Sequence, residues 1–191
     1  MNDKTNICKP QSGGFSRRKF FAVAAIGSAA LIAPSACDIL NTEDKGDDTI
    51  KKIIQNVISG DHALSYITVV YTIGLKNWEH GETQLTAYGS GQATVQNIDN
   101  SKYVSYSGTI ASSEFMQLMQ KMNDGEFWNI NSSQKGLPDE APVSVTISDS
   151  DSKQSHTVSM FHSEAMSNSA FRPIVEKLDL WVNQISNGKL F

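Results

Sequence analysis

The sequence predicts an α+β domain: a twisted antiparallel sheet of about six or seven strands with two or three helices packed on it. Three observations predict this. Runs of β-branched and aromatic residues recur between residues 64 and 110, separated by Gly, Asn and Asp. Apolar and hydroxyl residues alternate strictly over 143–148, and over 155–160 Ser and Thr alternate with His156, Val158 and Met160. Apolar side chains at helical spacing occur over 50–58, 115–122 and 171–185.

The chain opens with an address. Arg17, Arg18 and Lys19 stand directly before an uncharged run over residues 20–36, the layout of a signal peptide. That run is about 17 residues, shorter than the roughly 20 apolar residues a spanning helix needs, and Pro34 breaks its far end. Residues 1–36 are therefore expected to be a signal peptide. Ser16-Arg17-Arg18-Lys19-Phe20 resembles the twin-arginine export signal, with Phe21 at a Leu position and Ala22 where Lys is usual. The resemblance implies a bacterial or archaeal envelope protein that is folded before export. Ser35-Ala36-Cys37 resembles the end of a lipoprotein signal, although Pro34 stands where that signal carries Leu. This implies lipidation of Cys37 and attachment to the membrane through it. The alternative is a plain peptidase cut after Ser35, with Ala33-Pro34-Ser35 as a small-x-small site, which would leave Cys37 as a lone exported thiol.

Removal of residues 1–36 leaves 155 residues, one domain by length and large enough for a hydrophobic core. Cys8 and Cys37 are the two cysteines, so the processed chain has no intramolecular disulfide and no Cys-rich metal cluster. The same cut leaves eleven basic and nineteen acidic side chains, a net charge of −8. Nothing basic clusters after Arg18 except Lys51-Lys52, which argues against nucleic acid as a partner, because phosphate binding rests on Lys and Arg.

Residues 37–48 are polar and acidic and are expected to form a tether, and residues 49–191 one domain. A dozen flexible residues span roughly 20 Å, enough to hold a domain just off a bilayer. Ile50, Ile53, Ile54, Val57 and Ile58 make a helical stripe, with Asp48 or Thr49 to cap its start and Gly60 to end it. Strands are expected over 64–73, 83–88, 93–98 and 103–110 as a meander, with Gly89-Ser90-Gly91 as a hairpin turn. A helix over 112–123 has Ser112 or Ser113 as candidate caps, Phe115, Leu118, Met119 and Met122 as its apolar face, and Gly125 at its end. Residues 127–130 read as a short strand or wedge. Val143, Val145 and Ile147 alternate with Ser144, Thr146 and Ser148, and Asp149-Ser150-Asp151-Ser152 turns the chain into a return strand. The helix over 172–186 is the strongest, with Pro173 in its first turn and Gly188 just past its end.

The candidate chemistry is sparse. His156, Met160, His162 and Glu164 share one strand parity, so they could face one way and offer a mixed ligand set for copper or zinc. Alternate strand residues stand about 6.5–7 Å apart, so a single ion could take only neighbours such as His162 and Glu164. Trp78, Glu79, His80 and Glu82 form the most chemically loaded loop, a candidate for binding a ligand or supplying an acid and a base. Gly89-Ser90-Gly91 lacks the spacing of a nucleophile elbow, and no phosphate-binding glycine loop, HExxH or dinucleotide fingerprint occurs. No cofactor is expected.

Ser113-Glu114-Phe115, Leu118, Phe127-Trp128, residues 143–147, Ser155-His156-Thr157-Val158 and residues 171–175 follow one another in an order that resembles the emfourin-type inhibitors of zinc metallopeptidases and related small domains. The resemblance covers residues 67–185 and rests mostly on hydrophobic patterning. The Gly-Gly start expected ahead of the first strand is absent, and no functional residue is carried over. The expectation is an exported, lipid-anchored envelope protein that binds a partner without catalysis. Protease inhibition is one alternative, and a small metal-binding protein or enzyme is another.

Overall fold

The computed structural model describes residues 46–76, 80–99, 102–133 and 140–190, all within the unit of the chain that spans residues 41–191. Arg17, Arg18, Phe20, Cys37 and most of the expected tether lie outside the described residues, as do Trp78 and Glu79.

Helix α1 (Gly46–Ser59) buries Ile50, Ile53, Ile54 and Val57 along one stripe. It begins at Gly46, ahead of the expected Asp48 or Thr49 cap, so residues 46–48 belong to its first turn and not to a tether. An acidic residue such as Asp48 suits that end, where the helix dipole is positive. The helix stops at Gly60, whose φ of 86° is left-handed backbone open to glycine at little cost.

A 3-10 turn (Leu64–Tyr66) replaces the first residues of the expected strand. Strands β1 (Ile67–Gly74), β2 (Glu82–Tyr88), β3 (Gln92–Asp99) and β4 (Lys102–Thr109) then form the meander. Helix α2 (Ser112–Asp124) follows, with Ala111 and not a serine at its cap position. Residues 127–129 are a 3-10 turn that buries Phe127 and Trp128 as a wedge. Strands β5 (Pro142–Asp149) and β6 (Gln154–Phe161) make a hairpin. Two helices end the described chain: α3 (His162–Ser167), which the sequence reading did not anticipate, and α4 (Arg172–Ser186).

The six strands form one antiparallel sheet in the order β4-β3-β2-β1-β5-β6. The first strand is therefore internal: β5 docks on its free side, with Val69 opposite Ile147 and Tyr71 opposite Val145. Cross-strand partners in an antiparallel ladder share a face. One row across the sheet reads Tyr106, Val95, Leu85, Tyr71, Val145 and Val158, and the inner four of these are fully buried, as is Val158. Helices α1, α2 and α4 cover that face with Ile50, Ile54, Phe115, Leu118, Leu178, Trp181 and Val182, all buried. Phe115 lies 5.8 Å from the Trp181 ring, and Phe127 stacks at 6.3 Å on Phe171. Each such side chain contributes about 1.5–3 kcal/mol on burial.

One expectation fails at the end of β6. The strand stops at Phe161, where the His162 amide donates to Ala141 O at 2.9 Å and the Ser163 amide donates to a Glu140 carboxylate oxygen. These bonds turn the chain into α3, so His162 and Glu164 sit on a helix. The strand parity that placed them on one face with His156 and Met160 no longer applies.

Candidate functional site

The sequence-predicted metal set is dispersed. Met160 is buried in the core, and His156 lies edge-on to Phe127 with ring centroids 5.3 Å apart. Both are on the covered face of β6. His162 and Glu164 belong to α3. Among the described residues no group of three or more His, Cys, Asp or Glu side chains could hold a metal ion.

Of the loaded loop, His80 and Glu82 are described. His80 is exposed and its carbonyl accepts from Asn97 Nδ2 at 3.1 Å, while Glu82 lies 3.9 Å from Lys76 Nζ. His80 lines a depression of about 410 Å³ with Ile73, Gly74, Gly81, Thr83, Ala141 and Leu190. Ile73 also lines a neighbouring one of about 480 Å³, with His162, Glu176, Asp179, Leu180 and Asn183. Beside it the Tyr71 hydroxyl donates to Asp179 Oδ1 at 2.5 Å. Burial pushes the Asp179 carboxyl above the usual range, against the opposing effects of the Tyr71 hydrogen bond and the His162 charge. Burial first, and then the Asp179 charge, push the Tyr71 hydroxyl far up, which keeps it protonated. Tyr71 is fully buried and its proton is committed to Asp179. The pair ties sheet to helix, with Asp179 at the wall of the 480 Å³ depression.

A second cluster joins Ser, His and Asp in an order that does not fit nucleophilic catalysis. Asp149 is buried, with His62 Nε2 at 3.1 Å from Oδ1 and the Ser152 hydroxyl donating to Oδ2 at 2.6 Å. In a catalytic triad the imidazole stands between serine and carboxylate. Here the carboxylate stands in the middle and also accepts the Asp151 and Ser152 amides at 3.2 Å, so it shapes the β5–β6 turn. Burial alone would raise the Asp149 carboxyl, but the bonds from Ser152, His62 and the two amides outweigh it and hold it below its ordinary value.

Ordered rows of hydrogen-bonding side chains lie on the face of the sheet opposite the helices, which no described helix covers. One row there reads Ser105, Gln96, Gln84, Thr72, Ser144 and Ser159, and the next Ser107, Thr94, Thr86, Val70, Thr146 and Thr157. Not one of these twelve side chains carries a charge, although residues 37–191 together carry a net −8. All are partly or fully exposed. Thr146 and Thr157 share a hydroxyl–hydroxyl bond of 2.8 Å across strands, which fixes both rotamers. Tyr88 and Tyr103 flank the array at opposite ends of β2 and β4, 40% and 60% exposed, about 20 Å apart by strand rise and spacing. Neutral hydroxyls and amides held in rows offer donors and acceptors without an electrostatic bias, and the exposed tyrosines offer flat apolar surface. The sequence reading found a third of this array, the four residues within the alternation of 143–148 and 155–160. The other two thirds lie in β1 to β4, where interrupting residues such as Val70 and Ile98 mask the same period.

No family model matches the chain, and no curated protein matches it either. Among the described residues no helix is long and apolar enough to cross a membrane.

Proposed function

We propose that the protein is an exported, lipid-tethered binding protein of the cell envelope, attached through Cys37, that holds a neutral, hydroxyl-rich partner such as an uncharged glycan on the open face of its sheet. The observation that carries the reading is the uncharged double row of Ser, Thr and Gln across all six strands. The two rows carry no formal charge, which avoids the desolvation cost that buried ions impose on association, and Glu82, in the next row with Ile98 and Tyr103, lies 3.9 Å from Lys76 Nζ. It also matches a polyol by hydrogen bonding, with Tyr88 and Tyr103 as stacking platforms at its ends. The ionisable groups support a non-catalytic role in their own way, since Tyr71–Asp179 and His62–Asp149–Ser152 spend their hydrogen bonds on the fold.

Native and denaturing mass spectrometry of the protein recovered from its own envelope tests both parts. The expected denatured mass is residues 37–191 plus acyl chains, with extra native mass that denaturation releases. A free N-terminus near Ala36 would refute the tether. Charge placed in the rows, as Thr86→Lys with Thr146→Glu, is expected to abolish retention of the extra mass. Retention by that variant would refute the face as the binding surface.

A further inference from the structure

The sheet has two edges, and they differ. At β6 the edge is partly closed: the Ser133 amide donates to Ser159 O at 2.8 Å, and Ser132 Oγ accepts the Ser159 amide at 3.0 Å. At β4 no described residue pairs with the outer side. This edge is eight residues long, contains no proline, and has Lys102 at one end as its lone charge. Natural proteins normally blunt such an edge with charge, proline, a bulge or a covering segment.

The ladder fixes which groups point outward. The Ile110 amide bonds to Gly91 O at 2.8 Å, and the β3–β4 register places Gly108 opposite Ala93, Tyr106 opposite Val95 and Val104 opposite Asn97. Antiparallel ladders bond every second residue, so the even-numbered residues of β4 face β3. Tyr103, Ser105, Ser107 and Thr109 therefore send their amides and carbonyls away from the sheet.

We infer that this edge pairs with the same edge of a second copy, antiparallel, about a two-fold axis through Tyr106. Three features select that occupant. The register centred on Tyr106 sets Ser105 opposite the second copy's Ser107 and Tyr103 opposite its Thr109, so each outward residue meets another and about eight backbone hydrogen bonds form. The same register sets Val104, 40% exposed, opposite the second copy's Gly108, over which Ile185 packs beside a hollow of about 310 Å³ that Trp181 also lines. Each copy so provides one knob, Val104, and one apolar seat beside Ile185, as an isologous interface demands. Finally, no like charges meet along the strands, because Lys102 falls opposite Ile110. Such a dimer would join two open faces into one twelve-stranded surface, but it does not depend on what that surface binds.

The test uses the full chain with Cys8→Ser and Cys37→Ser, followed by sedimentation velocity over a range of concentrations. A reversible dimer is expected. Ser105→Pro removes an outward amide that β3 does not use, and Val104→Lys charges the knob. Each is expected to weaken the dimer about tenfold or more while far-UV circular dichroism stays unchanged. Tyr106→Cys in the same background places two thiols on the axis, at a spacing a disulfide can bridge. It is expected to cross-link under mild oxidation, whereas Ser90→Cys at the β2–β3 turn is not. A monomer at every concentration would overturn the inference. So would a dimer that survives Val104→Lys and fails to cross-link through position 106.

Discussion

Tyr71 and Asp179, 108 residues apart in the chain, meet at 2.5 Å where the middle of β1 faces α4. The tyrosine is fully buried and donates its only proton to the carboxylate. This bond locks the strongest helix of the chain onto the central part of the sheet. It also sets a pH signature, because the Asp179 carboxyl is raised by burial.

Tyr71→Phe is expected to leave the Asp179 carboxylate short of a buried donor and to cost about 1–3 kcal/mol at neutral pH, read by urea unfolding. Asp179→Asn keeps an acceptor for the hydroxyl and removes the buried charge, so it is expected to be neutral or stabilising at neutral pH. The sign follows from the raised folded-state value: between the ordinary carboxylate pKa of about 3.9 and that higher value, the folded state holds more protons than the unfolded one. Stability therefore falls as pH rises through that window. In Asp179→Asn this fall is expected to disappear. An unchanged profile would refute the assignment.

Asp149 is expected to act in the opposite sense. Its folded-state value lies below the ordinary one, so its contribution is fully present above about pH 4 and is lost as pH falls through the lower value. Asp149→Ala strips acceptors from His62, Ser152 and two turn amides, and is expected to cost about 2–4 kcal/mol at neutral pH. Its acid-unfolding curve is expected to be flatter than that of the parent. Asp149→Asn, which retains one acceptor oxygen, is expected to fall between the two.

Gly89→Ala tests the packing of the β2–β3 turn. A Cβ at residue 89 would stand 1.8 Å from Leu64 O, while the residue's own amide bonds to Ile67 O at 2.8 Å. The backbone has to move, and a loss of about 1–3 kcal/mol is expected. Gly60→Ala meets nothing within 4 Å and strains only its left-handed φ, so it is expected to cost less.

Charge in the open face is expected to separate binding from stability. Thr94→Lys faces solvent between Ser107 and Thr86 and is expected to change stability by less than about 0.5 kcal/mol. It is also expected to weaken retention of a neutral ligand, measured by native mass spectrometry. A large loss of stability would mean that the face is covered in the native molecule.

The sequence by itself determined the elements. Ile50, Ile53, Ile54 and Val57, the 115–122 stripe and the 171–185 stripe are helical because their apolar residues recur every three or four positions, and all three stripes are buried except at Ile185, which is partly buried. The β-branched runs and the Gly89-Ser90-Gly91 turn defined the meander for the same local reason. Local signals also misled where a neighbour outweighed them. Ser112 looked like a cap but lies inside the helix after Ala111, and the parity of His156, Met160, His162 and Glu164 ended at Phe161. Tertiary structure alone decided the rest. The pairing of β1 with β5, the meeting of Tyr71 with Asp179 and of His62 with Asp149, and the continuation of the Ser, Thr and Gln rows over six strands all join residues far apart in the chain. Periodicity reports which side of an element is apolar, but it carries no information about which other element lies beside it. That choice is made by the packing of the whole core.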